Sequence, residues 1–367
     1  MHYSVAVRDS AKPLVVTVLF GGRSAEHDIS LRSARAVVAH LDSKRYDVRL
    51  LGISREGDWL DTDGSKQMLK DGSVNGPTRG PYLPAGTNVV FPVLHGPGGE
   101  DGTLQGWLDL LDVPCVASGC AGSAIAMDKS VAKHVLRSAN IPVLPWTDVR
   151  RCDWQANREQ ILADITEQRG FPCFVKPARL GSSLGISKVD GNETLAAALD
   201  HAFTFGDFLL VEPAITCREL EVAVLDGSPE IVSLPGEILA EDWYDFDSKY
   251  RNDSAELNAP TDNLEPRMAD ALRDFALRAF RVLRLSGMAR VDFLLDKKAG
   301  RYYLNEVNTI PGFTSISMYP KLMESAGVPF DQLCDRLIEL ALAERRFSAC
   351  AVEAPPVEDE EREDGAE

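Results

Sequence analysis

Long apolar runs are absent from the sequence, and none approaches the roughly 20 residues that a membrane-spanning helix needs. Residues 1–13 also lack the apolar core of a signal peptide, because Arg8, Asp9 and Lys12 interrupt them. We therefore predict a cytoplasmic protein with no membrane partner, in which residues 1–13 form a loose extension.

Paired cysteines are also lacking. The sequence has seven cysteines, an odd number, and no two of them form a C-x-x-C motif. Several lie among apolar residues, as Cys173 does before Phe174 and Val175. Neither a zinc site nor a disulfide framework is indicated, and we predict reduced, mostly structural thiols.

Basic residues are too few to balance the acidic ones. The sequence has 39 Lys and Arg against 56 Asp and Glu, and a formal net charge of −17. Residues 353–367 contribute −7 of this without apolar periodicity, so we predict that the tail 351–367 is disordered. The other −10 comes with no apparent basic face, which argues against a nucleic-acid partner. An anionic small molecule would need a locally positive pocket.

The sequence does contain enough apolar residues, 44% of 367, for two or three folded domains. In residues 14–125, short apolar runs at 14–20, 46–53 and 88–94 predict strands, and apolar residues at helical spacing predict a helix over 30–41. This alternation favours an α/β domain with a parallel sheet and crossover helices.

Two smaller α+β units follow, at 126–212 and 213–350. We predict their strands at 173–176, 208–212, 220–225, 289–295 and 302–306, and their helices at 129–139, 193–202 and 267–285. The predicted fold class is therefore α/β followed by α+β.

A loop rich in glycine and serine, residues 181–185, follows the predicted strand 173–176. Such residues allow exposed backbone N–H groups to approach an anion, and Lys176 adds a positive charge at the strand end. The loop matches neither the Walker A motif nor G-x-G-x-x-G. A flexible surface hairpin is the alternative, but the position beside a lysine favours a phosphate-binding loop.

Two glutamates lie around the next strand, Glu212 at its end and Glu219 shortly after it. A carboxylate in such a position can accept a hydrogen bond from an exocyclic amine or a ribose hydroxyl. The signal is weak alone, because charged residues around a turn are usually solvated.

The strongest local signal is a set of hard ligands on two predicted strands: Asp292 on one, Glu306 and Asn308 on the other. Strand alternation puts Glu306 and Asn308 on one face, within reach of Asp292 on a neighbouring strand. Two carboxylates and an amide oxygen suit Mg²⁺. Acids paired with arginines on a solvent face are the alternative, which fits poorly because unpaired carboxylates within apolar strands are costly.

Two other polar segments are ambiguous on local grounds. His95 begins the glycine-rich segment 95–102 at a strand end, which suits a ligand-binding crevice, but a capping or core histidine is equally consistent. Glu26 stands where the first strand gives way to its helix, and an acid there is ordinarily a helix cap.

Together these segments resemble the D-alanine–D-alanine ligases, a family with the ATP-grasp fold, over residues 14–345. The resemblance implies an N-terminal parallel-sheet domain and two α+β subdomains that clasp ATP. Its motifs are specific as an ordered set: Ser24-Ala-Glu-His-Asp-Ile-Ser30, His95-Gly…Gly-Glu-Asp-Gly102, Met127-Asp-Lys129, Val175-Lys-Pro, Gly181-Ser-Ser-x-Gly185, Lys249-Tyr250 and Leu304-Asn-Glu-Val-Asn-Thr-Ile-Pro-Gly-Phe-Thr.

For the nucleotide, the resemblance implies ATP as a co-substrate, with Mg²⁺ or Mn²⁺ at Asp292, Glu306 and Asn308. The residues that it assigns to ATP are Lys129 and Lys176 at the phosphates, Glu212 toward adenine, Glu219 toward ribose, and Ser183 in the loop.

For the first D-alanine, the resemblance implies that Glu26 fixes the ammonium group, which overrides the capping interpretation. Ser182 and Tyr250 would join Glu26 in a hydrogen-bonded triad. This triad would close a mobile loop, residues 240–260, over the site.

For the second step, the resemblance implies that Arg290 and the backbone N–H of Gly312 stabilise an oxyanion. Lys249 and Ser317 would hold the carboxylate of the second substrate, and His95 would be a further substrate-binding residue.

One segment departs from the family pattern. In the mobile loop, Phe246 lacks the usual hydroxyl and Ser248 replaces an alanine. D-alanine–D-lactate ligases have a histidine in place of the Lys249–Tyr250 pair, so the pair favours an amine nucleophile. Three interpretations stay open: a dipeptide ligase, a ligase that uses D-lactate or D-serine, and a non-catalytic ATP-binding regulator. A homodimer is expected from the resemblance alone.

Overall fold

The computed structural model describes residues 12–74, 76, 78–181, 183–239, 256–314 and 316–348. Several predictions lie outside these ranges: most of the extension 1–13, Ser182, most of the loop 240–260 with Lys249 and Tyr250, and the tail 351–367. Among the described residues, no helix is both long and apolar enough to cross a membrane.

A five-stranded sheet forms the first part of the chain. The elements here are β1 (Leu14–Gly21), α1 (His27–His40), β2 (Tyr46–Ile53), β3 (Trp59–Leu60), α2 (Thr62–Asp71), β4 (Thr78–Arg79), β5 (Val89–Pro92), α3 (Thr103–Leu110) and α4 (Cys120–Met127). The strand order is β4-β3-β2-β1-β5, and β2, β1 and β5 are parallel as predicted. Strand β3 instead pairs antiparallel with β2, because the short connection between them leaves no room for a crossover, and β4 pairs antiparallel with β3 after α2.

Burial on both faces explains why β1 is apolar throughout except at Thr17. Val16, Val18 and Phe20 pack in the apolar cluster that includes α1, whereas Leu19 packs on the opposite face with Leu108 of α3. Helices therefore cover both faces of the sheet, as is usual for parallel strands.

Gly21 ends β1 with φ of +93°, a backbone conformation that glycine adopts without strain. A Cβ added there would lie 2.2 Å from the carbonyl oxygen of Ile53. We expect Gly21→Ala to lower the free energy of unfolding by about 2–5 kcal/mol, through backbone strain and overpacking. Gly72 has a similar φ of +80° with nothing near its Cβ position, so Gly72→Ala is the control, with a loss of about 1–2 kcal/mol. Urea denaturation measures both, and equal losses would contradict the collision at Gly21.

A second, four-stranded sheet is entirely antiparallel. Its elements are α5 (Lys129–Ser138), β6 (Thr147–Arg150), α6 (Arg151–Ala156), α7 (Arg158–Gln168), β7 (Cys173–Pro177), β8 (Ser187–Val189), α8 (Asn192–Ala202) and β9 (Phe208–Pro213), with strand order β6-β9-β7-β8. The predicted strands at 173–176 and 208–212 are confirmed as parts of β7 and β9. Strand β6 was not predicted, because only one of its four residues is buried.

A third sheet carries the strands that the sequence marked as chemically important. Its elements are β10 (Cys217–Leu225), β11 (Ile231–Val232), β12 (Gly236–Leu239), β13 (Glu256–Asn258), α9 (Pro266–Val282), β14 (Met288–Asp296), β15 (Tyr302–Asn308), α10 (Met318–Ser325) and α11 (Phe330–Ser348). The order is β13-β12-β10-β14-β15, with β11 beside β10. The predicted helix 267–285 ends early, at Val282, and Arg284 follows with a positive φ of 55°.

Helix α11 packs against the first sheet although it lies at the other end of the described chain. Its Leu337 belongs to the same apolar cluster as Val16 of β1 and Phe91 of β5. Residues predicted to belong to the unit 213–350 therefore complete the core of the unit 14–125.

Candidate active site

A cavity of about 510 Å³ lies where the loops that follow β1 and β5 face strands β10, β14 and β15. Ligands of α/β domains bind at this edge, beyond the carboxyl ends of the parallel strands. Another cavity of about 570 Å³, around residues 47–50 of β2, contains none of the predicted site residues. The predicted residues that line the first cavity are Glu26, His95, Glu219, Arg290, Asp292, Glu306, Asn308, Gly312 and Ser317.

The three predicted metal ligands are brought together by the pairing of β14 with β15. Asp292 pairs with Glu306 in the register, and Asn308 Nδ2 donates to Asp292 Oδ2 at 3.0 Å. A register shift lies next to Asp292. Bulges of this kind re-aim side chains beside functional sites, and Asn305 lines the cavity together with Glu306 and Asn308.

Basic side chains neutralise these carboxylates. Arg290 donates two hydrogen bonds to Asp292, from Nε at 2.8 Å and from Nη2 at 2.7 Å, and its Nε lies 3.1 Å from Glu221 Oε2. Lys129 Nζ lies 2.9 Å from Glu306 Oε2. The cluster is therefore a charge-compensated site rather than a set of bare acids.

The donor set fits a hard divalent cation. Asp292 and Glu306 offer carboxylate oxygens, and Asn308 offers an amide oxygen. Within the described ranges, no group of three or more His, Cys, Asp and Glu side chains could hold a metal ion, so an all-carboxylate site is not formed there. The predicted set of three ligands therefore includes the amide oxygen of Asn308.

One of the predicted phosphate-binding residues, Lys129, contacts Glu306. Lys129, at the start of α5, donates from Nζ to the carbonyl oxygen of Leu180 at 2.7 Å as well as contacting Glu306. Ser183, which follows the undescribed Ser182 in the loop, has a positive φ of 59°. Lys129 therefore ties the glycine- and serine-rich loop to the metal-ligand strand β15.

A buried cluster of one acid and two lysines lies deeper in the second sheet. Glu212 is 1% exposed, and its two carboxylate oxygens pair with Lys133 and with Lys176, the latter at 2.6 Å. Burial alone would raise the pKa of Glu212, but the two lysines outweigh it and lower the pKa to about 2. Burial lowers the pKa of Lys133, although Glu212 opposes this.

Lys133 was not predicted as a site residue, although the sequence held a signal. It lies one turn after Lys129 on α5, beside the buried residues Ala132 and Leu136. A lysine on the apolar face of a helix needs an anionic partner, which here is Glu212.

Glu26 occupies the N-cap position of α1, but its side chain makes no capping hydrogen bond. Its carboxylate instead lies against two glycines. A Cβ on Gly96 would be 2.8 Å from Glu26 Oε2, and a Cβ on Gly181 would be 3.4 Å from it. Glu26 therefore meets the loop after β5 and the glycine- and serine-rich loop at the cavity wall.

His95 is 5% exposed, and both of its ring nitrogens contact protein groups. Nδ1 lies 2.9 Å from the carbonyl oxygen of Ile310, and Nε2 lies 3.0 Å from Ser33 Oγ. Burial lowers the pKa of His95, although the charge of Glu26 opposes this, so the ring is neutral at pH 7.

Glu100, which was not predicted as a site residue, bridges two loops at the cavity wall. Its carboxylate accepts the N–H of Gly96 at 2.7 Å and the N–H of Ile310 at 3.1 Å. Burial, and then the charge of Glu26, raise the pKa of Glu100 to about 8, against the opposing effects of these hydrogen bonds and Arg290. The sequence feature that could have indicated Glu100 was its position in the glycine-rich segment 95–102.

We expect the raised pKa of Glu100 to make the protein less stable as pH rises. Between the unfolded pKa of about 4.3 and the folded pKa of about 8, the folded state retains a proton that the unfolded state releases. The free energy of unfolding therefore decreases as pH rises across this range. Glu100→Gln is expected to remove the part of this decrease that comes from Glu100. Urea denaturation of both proteins at a series of pH values measures the difference, and identical slopes would rule the effect out.

Ser317 and Gly312 lie together where the chain enters α10. Ser317 is the N-cap residue of this helix, and its Oγ accepts the N–H of Thr314 at 3.1 Å. A Cβ on Gly312 would lie 2.9 Å from Ser317 Oγ, so a side chain there would displace the Ser317 hydroxyl. A helix N-terminus that opens on a cavity attracts anions.

Two family models match the chain. The model described as D-ala D-ala ligase N-terminus matches residues 15–118, and the model described as D-ala D-ala ligase C-terminus matches residues 135–339. Together they span most of the chain, including both walls of the cavity.

Individual relatives agree with these models. The chain is 45% identical to a D-alanine–D-alanine ligase of Deinococcus radiodurans, over 90% of this chain and 99% of that protein. It is 42% identical to one of Heliobacterium modesticaldum, over 90% and 95% of the two chains.

Solved structures have the same ATP-grasp fold. The D-alanine–D-alanine ligase of Coxiella burnetii superposes with a TM-score of 0.78 at 35% identity, over 92% of this chain and 96% of that chain. The D-Ala:D-Ser ligase VanG of Enterococcus faecalis gives 0.77 at 33% identity, over 90% and 100% of the two chains. These matches establish that the chain, in which many of the predicted site residues line one cavity, belongs to the D-alanine–D-alanine ligase family.

Proposed function

We propose that the protein joins two D-alanine molecules into D-alanyl-D-alanine while ATP is converted to ADP and phosphate. The observation that carries this proposal is that Glu26, Arg290 and the oxygen ligands Asp292, Glu306 and Asn308 face one cavity. Such a set can bind an ammonium group, an oxyanion and a metal–phosphate complex side by side. The names of the relatives support the same activity.

The first step activates a carboxylate, which is a poor electrophile. A carboxylate oxygen of the first D-alanine attacks the γ-phosphorus of ATP, ADP leaves, and an acyl phosphate forms. Phosphoryl transfer depends mainly on positioning and charge neutralisation. We assign Lys129, Lys176 and Ser183 to the phosphates, Glu212 to adenine and Glu219 to ribose.

The metal ligands support this step. Asp292, Glu306 and Asn308 would hold Mg²⁺ or Mn²⁺, which supplies neutralisation of the phosphate oxygens. Arg290 orients Asp292 through its two hydrogen bonds, and Lys129 holds Glu306 beside the phosphate loop.

The second step forms the peptide bond. The amine of the second D-alanine attacks the acyl carbon, loses a proton, and displaces phosphate by way of a tetrahedral intermediate. Arg290 and the Gly312 N–H stabilise the oxyanion of that intermediate. Preorganised donors of this kind act strongly where water is excluded.

The two substrates have separate contacts. Glu26 binds the ammonium group of the first D-alanine, and Ser317, with Lys249, binds the carboxylate of the second. The N-terminus of α10 supports the second assignment, because its backbone N–H groups favour an anion. We assign Ser182 and Tyr250, which lie outside the described residues, to the triad with Glu26 that the family resemblance implies, because a closed site would keep water from the acyl phosphate.

The biological setting follows from the product. D-alanyl-D-alanine is a building block of peptidoglycan, and its synthesis uses cytoplasmic ATP, so we assign the protein to the cytoplasm. We also propose a homodimer, as the family resemblance implies.

The test is to incubate the purified protein with ATP, Mg²⁺ and D-alanine, with and without D-lactate or D-serine, and identify products by mass. D-alanyl-D-alanine as the main product across about pH 6 to 9 supports the proposal. A depsipeptide at the acid end, where the amine of D-alanine is protonated, would show that Phe246 and Ser248 have altered the second site. ATP binding without any product would overturn the function while leaving the family intact.

A further inference from the structure

The turn Ile310–Phe313, which contains Gly312, is held by side chains from the opposite wall of the cavity. The N–H of Phe313 donates to Ser33 Oγ at 3.1 Å, and the carbonyl oxygen of Ile310 contacts His95 Nδ1 at 2.9 Å. Ser33 and His95 are themselves 3.0 Å apart. We propose that Ser33 and His95 act as one positioning unit that fixes the Gly312 N–H for the second chemical step; this rests on the proposed function.

The directions of these hydrogen bonds are determined by their partners. A carbonyl oxygen only accepts, so Nδ1 of His95 carries the proton and donates to Ile310. In a neutral ring, Nε2 is then an acceptor, and the hydroxyl of Ser33 must donate to it. The same hydroxyl oxygen accepts the N–H of Phe313. The chain of donors therefore runs in one direction, from Phe313 through Ser33 and His95 to Ile310.

Burial makes this connection rigid. Ser33, Ile310 and Phe313 are each at most 1% exposed. The ring of Phe313 packs edge-on against Phe91 of β5, with 5.9 Å between centroids. Both ends of the turn are thus fixed, while Gly312 between them lines the cavity.

This geometry gives His95 a role that differs from substrate binding. Both ring nitrogens of His95 already form hydrogen bonds within the protein. A direct hydrogen bond from His95 to a substrate would require one of these bonds to break. If His95 acts by holding the turn Ile310–Phe313, both of its hydrogen bonds stay in place. The predicted role of His95 as a substrate-binding residue is therefore replaced in this proposal by positioning.

The α1 helix offers a reason for the arrangement. The same helix carries Glu26 at its N-cap and Ser33 two turns later. The residue assigned to the first substrate and the residue that holds the oxyanion turn are thus fixed to one rigid element. Misplacement of reacting groups by about 1 Å can cost about 100-fold in rate, so a shared support has kinetic value.

The test compares Ser33→Ala with Ser65→Ala. Ser65 is a matched control because it is also fully buried in the first domain, where it accepts the N–H of Gly52 at 2.9 Å and donates to the carbonyl oxygen of Leu60 at 3.3 Å. It touches none of the assigned site residues. We expect Ser33→Ala to lower kcat about 10- to 100-fold with an unchanged KM for ATP, and Ser65→Ala to lose thermal stability alone.

A double-variant cycle tests whether Ser33 and His95 act as one unit. His95→Asn retains a donor for Ile310 but loses the acceptor for Ser33, so each single variant breaks the same unit. We expect the double variant to be no slower than the slower single one, within about twofold. Effects that multiply, or a kcat for Ser33→Ala equal to that of Ser65→Ala, would overturn the inference. If wild type and Ser65→Ala both lack D-alanine-dependent ADP release, the proposed function fails, and the inference with it.

Discussion

Replacing Arg290 with lysine is expected to lower kcat by about 10²- to 10³-fold, which is the usual effect of removing one preorganised oxyanion donor. The guanidinium group of Arg290 donates two hydrogen bonds to Asp292, and its Nε also lies 3.1 Å from Glu221 Oε2. Lysine keeps the charge, but a single ammonium group cannot make both hydrogen bonds and also face the cavity. The KM for ATP is expected to rise as well, because Arg290 also orients Asp292, a proposed ligand of the metal that accompanies ATP.

Arg281→Lys is the matched control for this measurement. Arg281 makes a similar two-point contact with Glu230, at 2.8 and 2.9 Å, on the surface of α9 and away from the cavity. Surface ion pairs contribute little, so its kcat is expected to stay within about twofold of wild type. Steady-state ADP release measures both variants. A kcat for Arg290→Lys equal to that of the wild type would show that Arg290 does not stabilise the oxyanion.

Glu212→Gln is expected to lower the free energy of unfolding by about 3–5 kcal/mol, the usual cost of breaking a buried ion pair. The substitution leaves Lys133, which is 2% exposed, and Lys176 without a negative charge between them. It is also expected to reduce the thermal stabilisation by ATP, which scales with affinity, because Glu212 is assigned to adenine. Thermal and urea denaturation with and without ATP measure both effects.

The acid stability of the wild-type protein gives an independent check on Glu212. Its pKa is lowered to about 2, so its charge stabilises the fold above the unfolded pKa of about 4.3. This contribution is lost as pH falls from about 4.3 toward 2, and Glu212→Gln lacks it. Asp153→Asn, which breaks an exposed pair with Arg150, is expected to leave stability nearly unchanged. A similar small effect from Glu212→Gln would mean that the two lysines are solvated.

Strands could be predicted from the sequence where burial on both faces of the sheet requires a run of almost entirely apolar residues. β1 is the best example, since alternate residues from Val16 to Phe20 lie on opposite faces and all but Thr17 are apolar. Strands β3 and β4 were not predictable, because two residues cannot display a period. The antiparallel pairing of β3 with β2 follows from the short connection between them rather than from side-chain pattern.

The site was predictable where a function demands several residues within one short segment. Asp292, Glu306 and Asn308 are confirmed as neighbours on paired strands, as alternation predicted. Ser33 and Glu100 were missed as partners of the turn at Ile310, because such contacts join positions more than 200 residues apart. Their roles depend on how the sheets pack, which no local pattern records.

The packing of α11 on the first sheet has a consequence for biosynthesis. The apolar face of β1 and β5 is covered in part by Leu337 and its neighbours, which a ribosome adds only after more than 300 other residues. Until then, a nascent chain carries a sheet whose core is unfinished, although its strands are already complete. Each newly made molecule therefore depends on α11 to bury part of the surface formed by β1.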